Sequence, residues 1–213
     1  MRNLAILEQK LKFVLWFFDE STGPFRVCKT KIESCELPFQ CGPEDRAETE
    51  PPHAELWLEA SEAIELQGQL CISLVHRSFR EYLDDTVRKS GREAPKNRGN
   101  WFGNYKEWFL RLGVDWERST ANLSVIEETA EARNRIQHGS PHDSHSLIKR
   151  QDADYSKRFE DAAFKSDFEA RLFRGSCNPR LYSLEITKEK LGRAAQEVLT
   201  FCGFIEEQLA HPP

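Results

Sequence analysis

The stretch Arg133-Asn134-Arg135-Ile136-Gln137-His138-Gly139 gathers residue types that can move a proton beside an oxyanion without help from a metal. Arginine keeps its charge and offers a planar fork of donors. Histidine titrates near neutrality and can take or release a proton. Three Arg/His pairs in the chain have four to six residues between them. Arg46 and His53 are separated by Pro51-Pro52, and Arg135 and His142 by Pro141, so neither pair can share a helix. Only Arg133 and His138 can, with a polar Asn134 behind the arginine and Gly139 as a stop. Five steps along a straight helix turn the chain by about 140°, so the last turn must unwind to bring the two together. The open carbonyls of a helix end favour a protonated imidazole there. An ordinary polar helix terminus would use the same residues to complement the dipole.

Other groupings are more diffuse. Residues 88–111 hold Arg88, Lys89, Arg92, Lys96, Arg98, Lys106 and Arg111 against Glu93 and Glu107, a local charge of +5. Trp101, Tyr105 and Trp108 interleave with them, as in a surface that stacks bases and tracks phosphates. The competing reading makes these aromatics core and the charges a solvated face. His138, His142, Asp143 and His145 cluster without a second ligand set, and Cys28, Cys35 and Cys41 lack zinc spacing, so no metal or other cofactor is expected. His76, flanked by Arg77 and Arg80, reads as a partly buried helix residue. No phosphate-binding glycine loop, H-E-x-x-H or G-x-S-x-G occurs, which removes sequence support for the common NTPase, zincin and hydrolase classes.

The elements that must position these residues read as helices. Leu4, Leu7, Leu11, Val14/Leu15 and Phe18 recur at helical spacing, and Gly23-Pro24 should end that helix. Residues 21–53 carry five prolines and read as an irregular insertion. A helix of bundle length follows from about Ala54 to Lys89, with a stripe through Leu56, Ala60, Leu70/Cys71, Phe79 and Val87 and a stop at Gly91. Trp101, Tyr105, Trp108/Phe109 and Leu112 predict a shorter helix ending at Gly113. Asp115 looks like the start of the helix that runs to Gly139. Residues 140–161 are polar and irregular, and Leu181–Ile186 alternates like a short strand. Thr187 opens a last helix carrying Leu191, Ala194/Ala195, Val198/Leu199, Cys202, Ile205 and Leu209. The expectation is a single all-α domain over 1–213, a helical bundle with long irregular insertions and at most one or two short strands.

With 213 residues, 14 Phe, 5 Trp and 4 Tyr, the chain can build a core and is no disordered protein. A net charge of −5 argues against indiscriminate coating of nucleic acid while leaving room for a local basic surface. The apolar run Phe13–Phe18 is far short of a membrane span or a signal sequence, so no membrane partner and a cytoplasmic location are expected. The six cysteines then read as reduced, Cys71 and Cys202 as small core residues.

The Arg133–His138 motif at a helix end, with helices before and after it, resembles the HEPN superfamily in its compact stand-alone members. The specific match spans about seven residues, and the helical layout covers most of the chain. The resemblance implies a metal-independent endoribonuclease working as a homodimer on an RNA substrate, in a toxin–antitoxin or phage-defence setting, with an antitoxin or other regulatory protein as a possible partner. It implies that Arg133 and His138 are catalytic, with Asn134 orienting the site. Arg88, Lys89, Arg92, Lys96, Arg98 and Arg135 are the expected substrate contacts. HEPN toxins silenced by a nucleotidyltransferase carry Tyr two residues after the histidine. Here that position is Ser140, which puts this form of regulation in doubt.

Overall fold

The computed structural model describes residues 2–42, 51–95, 101–138, 172 and 184–210. Among them are five α-helices: α1 (Arg2–Glu33), α2 (Ala54–Ser90), α3 (Trp101–Arg111), α4 (Leu123–His138) and α5 (Lys188–Ala210). One 3₁₀ turn, Trp116–Arg118, lies between α3 and α4. The fold is all-α.

α1 and α2 pack antiparallel along their length. Lys89 Nζ donates to Asn3 Oδ1 at 2.7 Å near one end, and Trp57 Nε1 donates to Glu33 Oε1 at 2.8 Å near the other. Between them Lys10 meets Glu81 at 2.6 Å. α5 runs alongside α2 in the same direction: Ile186, just before α5, abuts Gly68, and the Tyr82 hydroxyl donates to the Cys202 carbonyl at 3.0 Å. A Cβ on Gly68 would lie 2.9 Å from Ile186 Cβ, so this crossing needs a glycine. α4 packs on α2 and α5. The seam is filled by Leu7, Leu11, Phe18, Ile72, Val75, Phe79, Leu83, Ile126, Leu191, Val198 and Phe201, all nearly inaccessible.

α1 does not stop at Gly23-Pro24, as its local sequence predicts, but continues to Glu33 with the proline inside. A proline in a helix interior removes a hydrogen bond and crowds the preceding turn, about 3 kcal/mol in isolation. Burial and side-chain contacts on both sides offset that cost. Thr22 is fully buried, its hydroxyl on the Phe18 carbonyl at 2.6 Å, and Arg26 covers the Phe18 ring at 5.0 Å. Beyond the proline Ile32 is buried, and Lys29 sits 3.9 Å over the Trp57 ring. The expected irregular insertion therefore begins after Glu33 rather than at residue 21.

Cys35 and Cys41 are disulfide-bonded, with Cα atoms 5.4 Å apart. This departs from the all-reduced reading and also dissolves a zinc set drawn from Cys28, Cys35 and Cys41. Cys71 and Cys202 are free and buried as expected.

The boundaries of α2 and α5 follow the sequence closely. Gly91, at φ 66°, ends α2 in the left-handed conformation that favours glycine. Thr187 caps α5 by accepting from the Lys190 N–H at 3.2 Å. The α2 stripe is shifted, however: Trp57 is buried while Leu56 and Leu70 are exposed. Asp115 opens only the 3₁₀ turn, its carboxylate accepting from the Glu117 N–H. α4 begins later because the Asn122 N–H is held by Glu197 of α5 at 2.7 Å. The strand expected over 181–186 is absent from the described part of that stretch: Leu184 makes an isolated bridge, and Ile186 packs into the core. Residues 181–183 and 140–161 lie outside the described residues.

Candidate functional site

α4 turns Val125, Ile126, Thr129, Ala130 and Ala132 into the bundle, which leaves Arg133 and Asn134 at its margin. Arg133 is half-buried, and its Nη1 donates to the exposed Asn134 Oδ1 at 3.0 Å. No carboxylate among the described residues pairs with Arg133. Its charge is disfavoured first by burial and then by the neighbouring Arg80 guanidinium, which lower its pKa from the ordinary arginine range. α4 ends at His138, as the glycine stop predicts, and the His138 side chain lies outside the described residues. So do Ser140, His142, Asp143 and His145.

Packing brings two further residues to this end of α4. His76 on α2 is 4% exposed, and its Nε2 has no hydrogen-bond partner among the described residues. Burial, then Arg133, then Arg80 lower its pKa to about 4, so the imidazole is neutral at physiological pH. Arg80 lies one turn further along α2, where i and i+4 share a face. Trp101 of α3 covers both, its ring 5.0 Å from the His76 ring and 5.9 Å from the Arg80 guanidinium. α3 is held in place by the Tyr105 hydroxyl on Asp84 and by Lys106 donating to Glu127 of α4 at 2.5 Å; burial first, and then the bond to Asp84, raise the phenol pKa. Asp84 also stands 4.0 Å from Arg80.

His76 is thus far more enclosed than its flanking arginines suggest, and it faces a cation from another helix. The spacing of His76 and Arg80 on α2 was a visible signal. Their approach to Arg133 had none.

The basic stretch is dispersed. Arg88 pairs with Asp85 at 3.2 Å, and Lys89 is on Asn3. Arg92 lines a cavity of about 490 Å³ together with Glu93, Asn104, Glu107, Trp108 and Arg111. Lys96 and Arg98 lie outside the described residues, and Arg135 is half-buried on α4. The aromatics between them turn inward: Tyr105 and Trp108 are buried, and Trp108 Nε1 donates to the Glu93 carbonyl at 2.8 Å. Their rings form core, which leaves them poor platforms for stacked bases.

Among the described residues no group of three His, Cys, Asp or Glu is placed to hold a metal ion, and no helix is long and apolar enough to cross a membrane. No protein-family model, curated protein or solved structure matches the chain.

Proposed function

We propose that the chain is a metal-independent endoribonuclease of HEPN type, acting as a toxin or defence effector in the cytoplasm. What chiefly supports this reading is Arg133: a half-buried guanidinium with no carboxylate partner among the described residues, on the same short helix as His138. A guanidinium partly shielded from water gains more from a paired anion than one in open solvent. One that is left open is suited to an anion that arrives from outside.

In the proposed reaction the ribose 2′-oxygen attacks the adjacent phosphorus. The 2′-O–P bond forms and the P–O5′ bond breaks. One imidazole takes the 2′-hydroxyl proton while an imidazolium protonates the departing 5′-oxygen. Arg133 stabilises the phosphorane charge, and Asn134 holds the guanidinium in direction. One His138 cannot comfortably be base and acid in the same step. A two-fold homodimer would set two copies of the motif around one phosphate. Arg88, Lys89, Arg92, Lys96, Arg98 and Arg135 would supply contacts along the RNA, and an antitoxin or other regulatory protein would restrain the activity.

Incubation with total RNA, with and without EDTA, tests this. Products ending in 2′,3′-cyclic phosphate, unaffected by EDTA, are expected. Intact RNA of retarded mobility would favour a catalytically silent binding module instead.

A further inference from the structure

We propose that the outer face of the α1–α2 pair is a self-association surface, on which a second copy of this chain docks about a two-fold axis. The proposal is independent of the ribonuclease reading, because the face is built by α1 and α2 and holds no residue of α4.

α1 carries two apolar stripes. The inner one, through Leu11 and Phe18, fills the bundle core. The outer one runs through Ile6, Phe13 and Trp16, which are 46%, 54% and 57% exposed. Phe13 gathers Trp16 and Phe17 around it, with ring centroids 5.7 and 6.1 Å away. The Lys10–Glu81 ion pair crosses from this stripe to α2, and the helical row leading back from Glu81 holds Leu70 and Leu66. These are 46% and 56% exposed. Single exposed leucines are normal on a protein surface, whereas a contiguous apolar patch marks an interaction site.

Size and charge both name a second copy as the occupant. Five large apolar side chains left about half exposed put about 500 Å² of apolar surface on this face. A stable dimer takes about 800 Å² from each partner, and about 65% of a homodimer interface is apolar, or about 500 Å² per copy. The two ends of the face differ in sign. At one end Lys10 and Arg77 share the Glu81 carboxylate, at 2.6 and 2.8 Å, which leaves one positive charge over. At the other, Glu20 and Glu62 are exposed and have no ion pair among the described residues. Along α1, Lys10 and Glu20 stand five residues to either side of Leu15. A two-fold axis near Leu15, with the two α1 helices antiparallel, lays the aromatic clusters together and sets each basic end against the other copy's acidic end. The same acidic end would be repelled by an anionic lipid surface.

The test is sedimentation velocity of the whole chain across micromolar concentrations. Reversible, concentration-dependent association is expected, and Trp16→Glu, which puts a charge in the middle of the face, should weaken it about tenfold or more. Should the Arg133 motifs pair as well, wild type reaches four chains and Trp16→Glu two; otherwise the numbers are two and one. Lys10→Glu and Glu20→Lys should each weaken association about threefold, and the double variant should restore it, because the swapped charges again meet across the axis. Urea titration checks that each variant is folded. Flotation with vesicles of phosphatidylserine and phosphatidylcholine tests a membrane as the occupant. A wild type that stays monomeric, association that Trp16→Glu leaves unchanged, or Trp16-dependent flotation without self-association overturns the proposal. A double variant weaker than either single one overturns the antiparallel arrangement. RNA cleavage is measured separately: cutting without association through this face removes the interface alone, and association without cutting removes the nuclease alone.

Discussion

The Trp101 indole and the His76 imidazole meet in a T, with ring centroids 5.0 Å apart and planes 80° apart. An aromatic edge presents partial positive charge and the face partial negative, so such a contact is favourable for a neutral ring. α3 therefore acts as a cover over His76, and that burial, followed by the charges of Arg133 and Arg80, keeps the imidazole uncharged.

That enclosure makes stability depend on pH. The His76 pKa falls from 6.5 in the unfolded chain to about 4 in the folded one. As pH drops between those values the unfolded chain binds the proton first, so stability present near neutrality is lost on acidification. The loss attributable to His76 is about 3 kcal/mol once pH is below both values. Urea unfolding of wild type and His76→Gln across this range should show a steeper acid loss for wild type. Parallel curves would mean that His76 is not enclosed as described.

Arg133→Ala should lower RNA cleavage by about 10²–10³ and also weaken RNA binding, because a permanent phosphate contact goes with it. His138→Ala should lose turnover but keep most of the binding. His142→Ala serves as the control and should cleave normally. Single-turnover cleavage beside filter binding separates the two effects, and a dead His142 variant with an active His138 variant would move the catalytic role to the other histidine.

Two glycines should respond in opposite directions. Gly68→Ala forces a Cβ to 2.9 Å from Ile186 Cβ and should destabilise the fold by about 1–3 kcal/mol. Gly192→Ala, in α5 with open space around its Cα, should stabilise by about 0.5–1 kcal/mol. Thermal melts of the two variants would settle the sign of each.

Pro24→Ala restores a hydrogen bond inside a continuous α1 and should raise stability by about 1–2 kcal/mol after the unfolded chain's gain in freedom is subtracted. Were α1 broken at this residue, the substitution would be close to neutral in a denaturant titration.

A homodimer at micromolar concentration is expected if two motifs share one phosphate. Light scattering that finds only monomer while cleavage is undiminished would exclude the composite site.

Much of the helix layout was legible from sequence alone. Apolar periodicity and local stops place α2, α5 and the end of α4, because a helix and its caps depend on residues within a turn or two. Gly91 and Thr187 act at that range. The tertiary structure decided what depends on distant partners. α1 passes through Pro24 because Trp57, from another helix, holds its far half. Trp57 rather than Leu56 enters the core because the partner surface there, not hydrophobicity, chooses the face. The Cys35–Cys41 bond likewise appears only once the chain turns after α1. The Arg133 motif could be picked out by its spacing, but His76 and Arg80 could not be joined to it. Charges brought together by helix packing leave no trace in local sequence, since their approach is set by the core between the helices.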